Sequence, residues 1–407
     1  MRLLIVIDAF HPETKSASTL YFELAESLVK KGHDVSVITR RPRHNVASGT
    51  KLDKIPSKEI MSGIKVHRFW TPPLARNIPF IRGLEHFLLG LIFFLGGLSL
   101  GKYDVILVYS PPLPLGIAGY WLGKIKKCPV IVNIQDLYPQ TVIALNLLKN
   151  KALIWLSKRM ESFVYRKASF IVANSENNRQ HILKCGANKD AVGIVSNWVD
   201  TDAIKPGPKS NEFGQKYGLE QKFVVSFAGV MGFAQGLEVV IDTANILKNN
   251  KDIVFLMVGD GIKKKELVQK AESYKLNNII FVPTQPLSVY PQILHSSDIS
   301  LVVLNKLLAT ALPGKTFSIL ASGIPLVTSV PLEGGSPKII ERYQCGLSVK
   351  PGDAEALAKA ILKLYNNKTL SRQMGNNGRK AAEAVFSRKV AANNYEKIMS
   401  DLVRKGQ

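Results

Sequence analysis

The stretch Phe227-Ala228-Gly229-Val230-Met231-Gly232-Phe233-Ala234-Gln235-Gly236 decides the fold. An apolar run, Val224–Ala228, reads as a strand that ends in a glycine-containing turn, and an amphipathic helix is expected from Gly236 to Asn249. Absent side chains let a ligand approach the main chain, and a helix start offers unpaired N–H groups and a positive dipole end. A second junction of this kind is Leu256-Met257-Val258-Gly259-Asp260-Gly261, ahead of Lys263-Lys264-Lys265. A third is Pro313-Gly314-Lys315-Thr316, opening a helix over Lys315–Ser322 before Gly323-Ile324-Pro325. A lysine in the first turn of a helix opposes the dipole. A bound diphosphate would remove that conflict at Lys315; a solvated side chain is the plain alternative.

Working outward, short apolar runs alternate with longer amphipathic stretches, the pattern of βαβ units around parallel sheets. Upstream, strands are expected at Leu3–Ile7, Asp34–Thr39, Val66–Phe69, Val105–Tyr109, Val130–Ile134, Phe170–Ala173 and Val192–Val195, with a helix over Ser18–Lys31. Downstream, strands fit Val224–Ala228, Ile253–Val258, Ile279–Val282, Ile299–Leu304, Pro325–Val330 and Leu347–Val349. Helices fit Lys263–Tyr274, Leu287–His295, Ala354–Tyr365, Leu370–Val385 and Arg388–Arg404. Lys205-Pro206-Gly207-Pro208 reads as a linker. The expected class is α/β, two facing Rossmann-like doubly wound domains over 1–203 and 204–386. Residues 387–407 would form a C-terminal helix returning to the first domain, or an ordinary helix of the second. Ligands of such folds lie at the carboxyl ends of the strands.

The 407 residues carry a net charge of +23, divided +13 and +10 across residue 200, so the excess belongs to the whole surface. It points to a polyanionic partner. Nucleic acid is a poor fit, because no recognition motif is present and aromatic residues are not interleaved with the basic runs. Cys128, Cys185 and Cys345 lie far apart without CxxC spacing, which argues for a reducing, cytoplasmic setting and against a zinc site. His33, His67, His86, His181 and His295 show no ligand spacing, and there is no DxD pair, so no metal is expected. The first residues read as a strand, not a signal peptide.

One segment breaks the alternation. Phe87 to Gly101 contains fifteen residues without a charge, preceded by Arg76 and Arg82. A spanning helix needs roughly 20 apolar residues, so this run is short for one. It is either a buried helix or a monotopic element in the membrane interface with basic neighbours on the headgroups.

The order of the downstream pieces resembles the nucleotide-sugar half of family-four retaining glycosyltransferases with the GT-B fold. Phe10-His11-Pro12-Glu13-Thr14, Gly32-His33-Asp34-Val35, Asp136-Leu137-Tyr138-Pro139 and Asn197-Trp198-Val199-Asp200 extend the likeness to nearly the whole chain. Within the family, Asp136–Pro139, the QGLE helix start and the PxKT-x-S-x-LASG-x-P segment look most like bacterial O-antigen and exopolysaccharide N-acetyl-L-fucosamine or fucose transferases. The resemblance implies a nucleoside-diphosphate sugar as co-substrate, with no further cofactor. Gly229, Val230, Met231, Gly232 and Gln235 would face its diphosphate. Gly259, Asp260 and Gly261 would close around the nucleotide, and Gln285, Pro286, Leu287 and Tyr290 would hold the base. Gly314, Lys315 and Thr316 would bind the diphosphate, with Lys315 as a catalytic group. Asp136 would position the acceptor or sugar, or merely cap a helix. Glu13, Thr14, Lys15 and Ser16 would form an acceptor loop.

The chain also departs from the family. Its two glutamates, eight positions apart, fall at Thr310 and Ser318, neither acidic, and the Arg and Lys after the first strand are replaced near Met231 and Gln235. The implied activity is sugar transfer to a polyprenyl-diphosphate-linked saccharide at the anionic inner membrane face, without metal. A nucleotide-sugar epimerase and a non-catalytic membrane-docked scaffold are the alternatives.

Overall fold

Apolar runs of five or six residues become strands buried on both faces, as parallel sheets covered by helices require. The computed structural model describes residues 1–43, 46, 51–72, 79–144, 146–307 and 312–406. The chain falls into two units, Met1–Asn197 with Arg388–Gln407, and Trp198–Ser387. The change of unit thus comes at Asn197, ahead of the expected boundary at 203.

In the first unit, β1 (Arg2–Val6), β2 (Asp34–Arg40), β3 (Lys58–Met61), β4 (Ile64–Phe69), β5 (Val105–Ser110), β6 (Val130–Ile134), β7 (Phe170–Ala173) and β8 (Val192–Ile194) form one sheet. Its order is β3-β4-β2-β1-β5-β6-β7-β8. All neighbours run parallel except β3 and β4. The β3–β4 hairpin was not anticipated. It turns on Ser62 and Gly63, both at positive φ (50° and 79°), the conformation of a tight hairpin turn. The helix Ser16–Lys30 buries Tyr21, Leu24, Ala25 and Leu28, a stripe at helical spacing.

The C-terminal helix Arg388–Gly406 belongs to this first unit. Tyr395 and Met399 are buried. Glu396 accepts from Lys31 Nζ at 2.7 Å and lies 2.9 Å from His33 Nε2, while Arg388 pairs with Glu26 and donates to Ser27 Oγ at 2.8 Å.

The uncharged segment lies in a helix, Pro79–Leu98, packed on the helix Leu113–Lys126. Leu89 and Phe93 are buried. A Cβ on Gly96 would come within 2.4 Å of the Phe69 ring and one on Gly97 within 2.7 Å of Leu122, so those glycines permit close packing. Leu84, Phe87, Leu91, Leu95 and Leu98 form an exposed stripe on the same helix. One face of the helix is thus buried and the other presents apolar side chains at the surface. Among the described residues no helix is long and apolar enough to cross a membrane.

In the second unit, β9 (Phe223–Ala228), β10 (Ile253–Val258), β11 (Ile279–Val282), β12 (Ile299–Val303), β13 (Leu326–Ser329) and β14 (Gly346–Val349) form an all-parallel sheet in the order β11-β10-β9-β12-β13-β14. The helix expected from Gly236 begins at Glu238, because Gly236 takes a φ of +62°. Leu287–His295 divides into a 3₁₀ turn, Leu287–Val289, and a helix, Tyr290–His295. A helix over Gly335–Tyr343 had no counterpart in the sequence reading. Each unit is Rossmann-like, as the alternating pattern predicted.

Candidate functional site

In the second unit, the loops after β9, β10, β11, β12 and β13 all leave the carboxyl edge of one sheet, where doubly wound folds bind ligands. The first two loops interlock. Gly229 N donates to Val258 O at 2.9 Å, Met231 N to Asp260 O at 2.8 Å, and Lys263 N to Met231 O at 2.9 Å. A Cβ on Gly259 would fall 2.0 Å from Gly229 O, and one on Gly261 2.4 Å from Met231 O. Both residues sit at φ values (+141° and +150°) that favour glycine, so this pair of turns requires glycine twice over.

That interlock corrects one expectation. The amides of Gly229 and Met231 are consumed by the neighbouring loop, and that of Gly232 donates to Gln235 Oε1 at 3.1 Å. Among the four amides from Gly229 to Gly232, Val230 alone has its N–H unengaged, and its side chain is exposed. Gln235 closes the turn instead of pointing outward. Asp260 is exposed, with Oδ1 accepting from Gly261 N at 2.8 Å.

Lys315 opens the helix Lys315–Ala321 and is capped by no side chain. Its Nζ lies 3.9 Å from the centre of the Phe227 ring and would be 2.7 Å from a Cβ on Gly229. No carboxylate among the described residues lies within ion-pair distance of it. Burial lowers its pKa to about 8. An ammonium over a ring face at a helix start, with no carboxylate partner among the described residues, is an arrangement able to attract an anion. Gly314 precedes it and is exposed.

Thr316 stands differently from expectation. Its hydroxyl is wholly buried and lies 3.0 Å from the buried Ser336 Oγ, at the start of the helix Gly335–Tyr343. The next position on the helix turns the hydroxyl inward, so Thr316 ties two helix starts together and only Lys315 faces out. Ser318, where the family carries an acid, is bonded to the Tyr290 hydroxyl, whose pKa burial raises to about 12. Thr310 and Arg76 lie outside the described residues. Beyond β11, Pro286 and Leu287 are exposed, and Gln285 Nε2 donates to Pro283 O at 2.9 Å.

The first unit holds a cavity of about 460 Å³ at the carboxyl ends of β1, β5 and β6. Asp8, Lys15, His86, Tyr109, Asp136 and Tyr138 supply its polar lining, and Leu137, Val142, Leu147 and Leu148 an apolar wall. Asp136 and Lys15, both singled out from sequence, thus share one cavity. Asp136 is accessible at the surface yet crowded, and desolvation raises its carboxyl pKa. Asp8, His86 and Tyr109 escaped the sequence reading. The position of Asp8, directly after the first strand, was the available signal. Its carboxylate is 3.1 Å from Arg40 Nε.

Glu13 corrects another expectation. It is buried, and its carboxylate lies 3.7 Å from Lys15 Nζ and accepts from Arg43 N at 3.5 Å. A buried carboxylate is retained only with partners; Glu13 lies beside Lys15 and is closed off from solvent. Thr14 and Ser16 are exposed at the start of the helix Ser16–Lys30.

The Asp136 loop rests on a buried polar chain. Tyr395 accepts from Asn133 Nδ2 at 2.8 Å, Asn133 Oδ1 from Gln135 Nε2 at 2.7 Å, and Gln135 O from Asn174 Nδ2 at 2.6 Å. Linked buried hydrogen bonds of this kind favour one arrangement. The C-terminal helix therefore reaches the cavity wall through one tyrosine.

The sequence spacing of the histidines argues against a metal, yet the fold brings one of them into a cluster of possible ligands. His181 and Cys185, one helical turn apart, meet Glu161, and the three ligand-capable atoms lie within 4.8 Å of one another.

With this geometry in place, comparisons with known proteins are informative. The model described as "Glycosyl transferases group 1" matches residues 209–381, and that described as "Glycosyl transferase 4-like domain" matches residues 19–198. The chain is 24% identical over 387 residues to WcaI of Escherichia coli K12, named as a colanic acid biosynthesis glycosyl transferase, covering 92% of this chain and 95% of that one. It is 23% identical over 410 residues to the capsular polysaccharide biosynthesis glycosyltransferase CapM of Staphylococcus aureus, covering 98% of both. Anabaena HepE, solved in complex with UDP, superposes with a TM-score of 0.76 at 17% identity over 99% of this chain and 100% of that one. Two glycosyl transferase models, group 1 and 4-like, between them match residues 19–198 and 209–381, and the chain is a glycosyltransferase.

Proposed function

We propose that this enzyme transfers a sugar, an N-acetylated or deoxy hexose, from a nucleoside diphosphate donor to a polyprenyl-diphosphate-linked saccharide during O-antigen, capsule or exopolysaccharide synthesis. Uridine is the favoured base, supported by the UDP complex of HepE. The polysaccharide setting is supported by the names of WcaI and CapM. The motif likeness to N-acetyl-L-fucosamine and fucose transferases favours a donor of that type.

The observation that carries the reading is the unpaired ammonium of Lys315 over Phe227. As the bond from the sugar C1 to the phosphate oxygen breaks, its electron pair stays on the diphosphate. Lys315 and the adjoining helix start lie where that negative charge grows, and such stabilisation is often the largest catalytic contribution. The acceptor hydroxyl attacks from the same face, with retention, and its proton passes to the departing phosphate oxygen. Asp136 then serves to orient the acceptor, with Lys15 available to its phosphate. No cofactor and no metal enter this scheme.

The exposed stripe Leu84, Phe87, Leu91, Leu95 and Leu98, beside exposed Trp121 and Ile125 with Lys124 and Lys127, has the composition of an interfacial membrane face. It supports a peripheral position on an anionic cytoplasmic leaflet, where the lipid-linked acceptor resides.

The test is a thermal-shift screen of UDP-, GDP- and dTDP-sugars, followed by transfer from the stabilising donor to a polyprenyl-diphosphate-GlcNAc mimic. A lipid-linked product with the donor's anomeric configuration supports the reading. A soluble product formed without acceptor would favour the epimerase, and absence of donor binding the scaffold.

A further inference from the structure

We propose that Glu161, His181 and Cys185 form a binding site for a divalent transition-metal ion of the zinc type, separate from the donor site. The local sequence explains the placement. Ser175 caps the helix Glu176–Lys184 through Asn178 N, and His181 and the C-terminal Cys185, four residues apart, project from one side of it. Glu161 comes from the preceding helix, Lys151–Lys167.

The His181 ring nitrogen meets both other donors. His181 Nε2 is 2.9 Å from Glu161 Oε1 and 3.3 Å from Cys185 Sγ. An ordinary histidine–carboxylate pair would leave the sulfur out, since one imidazole N–H serves one acceptor well. Here oxygen and sulfur both face the same nitrogen. Oxygen, nitrogen and sulfur donors in one cluster suit zinc, which binds them at about 2.0–2.3 Å in tetrahedral geometry. Tetrahedral bonds of that length place donor atoms about 3.3–3.6 Å apart, so the two His181 separations open by a few tenths of an ångström, while the Glu161 and Cys185 donors, within 4.8 Å of each other, close on the ion.

Its surroundings resemble an outer shell. Glu161 is buried, and its other oxygen, Oε2, accepts from Gln140 Nε2 at 3.0 Å. That bond fixes the carboxylate, as outer partners of metal ligands do. Gln140 Oε1 is buried without a hydrogen-bond partner among the described residues, and the buried Tyr165 hydroxyl, four residues on in sequence, faces the Glu161 carboxylate. His181 remains partly exposed, which provides an entry path. On binding, the Cys185 sulfhydryl and the protonated His181 ring, at Nε2, each release a proton to solvent, so the ion takes the thiolate and the freed Nε2 lone pair; no electron transfer is involved. Gln140 begins the helix that follows the Asp136 loop, so the ion would brace the back of the cavity wall and take no part in the transfer step.

The test uses the full-length chain freed of any affinity tag and stripped of metal. Titration with Co²⁺ is expected to saturate at one equivalent with a thiolate-to-cobalt absorption band. The band should vanish in Cys185→Ser, and zinc affinity should fall about 10–100-fold in Gln140→Ala. Should Cys185→Ser fail to fold, zinc should protect Cys185 of the wild-type chain from alkylation, read by mass spectrometry at that residue. Absence of a thiolate band, a band retained in a folded Cys185→Ser, or alkylation of Cys185 at the same rate with and without zinc overturns the proposal.

Discussion

The Nζ atom of Lys315 stands 3.9 Å from the centre of the Phe227 ring, so the residue that ends one strand's buried run supports the cation that opens another loop's helix. Lys315 has its pKa lowered to about 8 by burial. In the free protein its positive charge is present below that value and lost as pH rises through it. Donor kcat/KM is accordingly expected to fall above pH about 8. Lys315→Arg keeps its charge throughout this range, so its pH profile should be flat there whatever its absolute rate. Lys315→Ala should lose about 10²–10³-fold in kcat/KM with an unchanged far-UV spectrum.

Membrane attachment and stability should separate along one helix. Leu91 and Leu95 are exposed on Pro79–Leu98, whereas Phe93 is buried between them in sequence. Leu91→Ser with Leu95→Ser should abolish sedimentation with phosphatidylglycerol vesicles while shifting stability by no more than about 0.5 kcal/mol per site. Phe93→Ala should cost about 3–5 kcal/mol. Loss of folding in the double variant, or retained vesicle binding in a folded one, would show that the stripe is not the attachment face.

Asp136 offers a second pH signature. Because desolvation raises its carboxyl pKa, its negative charge is lost at a higher pH than an ordinary carboxylate's on acidification. Activity limited by Asp136 should therefore decline on the acidic side at a pH above the usual carboxylate range. Asp136→Ala should lower kcat/KM about 10²-fold through misplacement of the acceptor. Donor affinity, measured separately, should stay as in the wild type.

Tyr395 links the C-terminal helix to the loop that bears Asp136. Tyr395→Phe leaves Asn133 Nδ2 buried without its acceptor, at a cost of about 1–3 kcal/mol. Thermal denaturation should register that cost. Acceptor KM should rise more than donor KM, because the loosened wall is the one holding Asp136.

The architecture was legible where one physical effect dominated. β7 and β10 are unbroken apolar runs, and burial leaves such runs little choice. β3, Lys-Glu-Ile-Met, is short and half charged, an edge strand whose pairing depends on the Ser62-Gly63 turn. Lys315 was readable because a lysine opposes the dipole of the helix it begins. Thr316 and Glu13 were not, since the direction a hydroxyl faces and the burial of a carboxylate depend on remote partners, Ser336 and Arg43. Likewise His181 and Cys185 show their spacing in sequence, while Glu161 reaches them only through the packing of two helices.

The measurement that tests the account most directly is calorimetric titration of UDP into the wild-type chain and into Lys315→Ala. The account predicts saturable binding at one site in the wild type and at least about tenfold weaker binding in the variant, the least expected from losing a charged hydrogen bond of about 1.5–3 kcal/mol. Equal affinity in the two proteins, with both folded, would remove Lys315 from the diphosphate site and contradict the proposed chemistry.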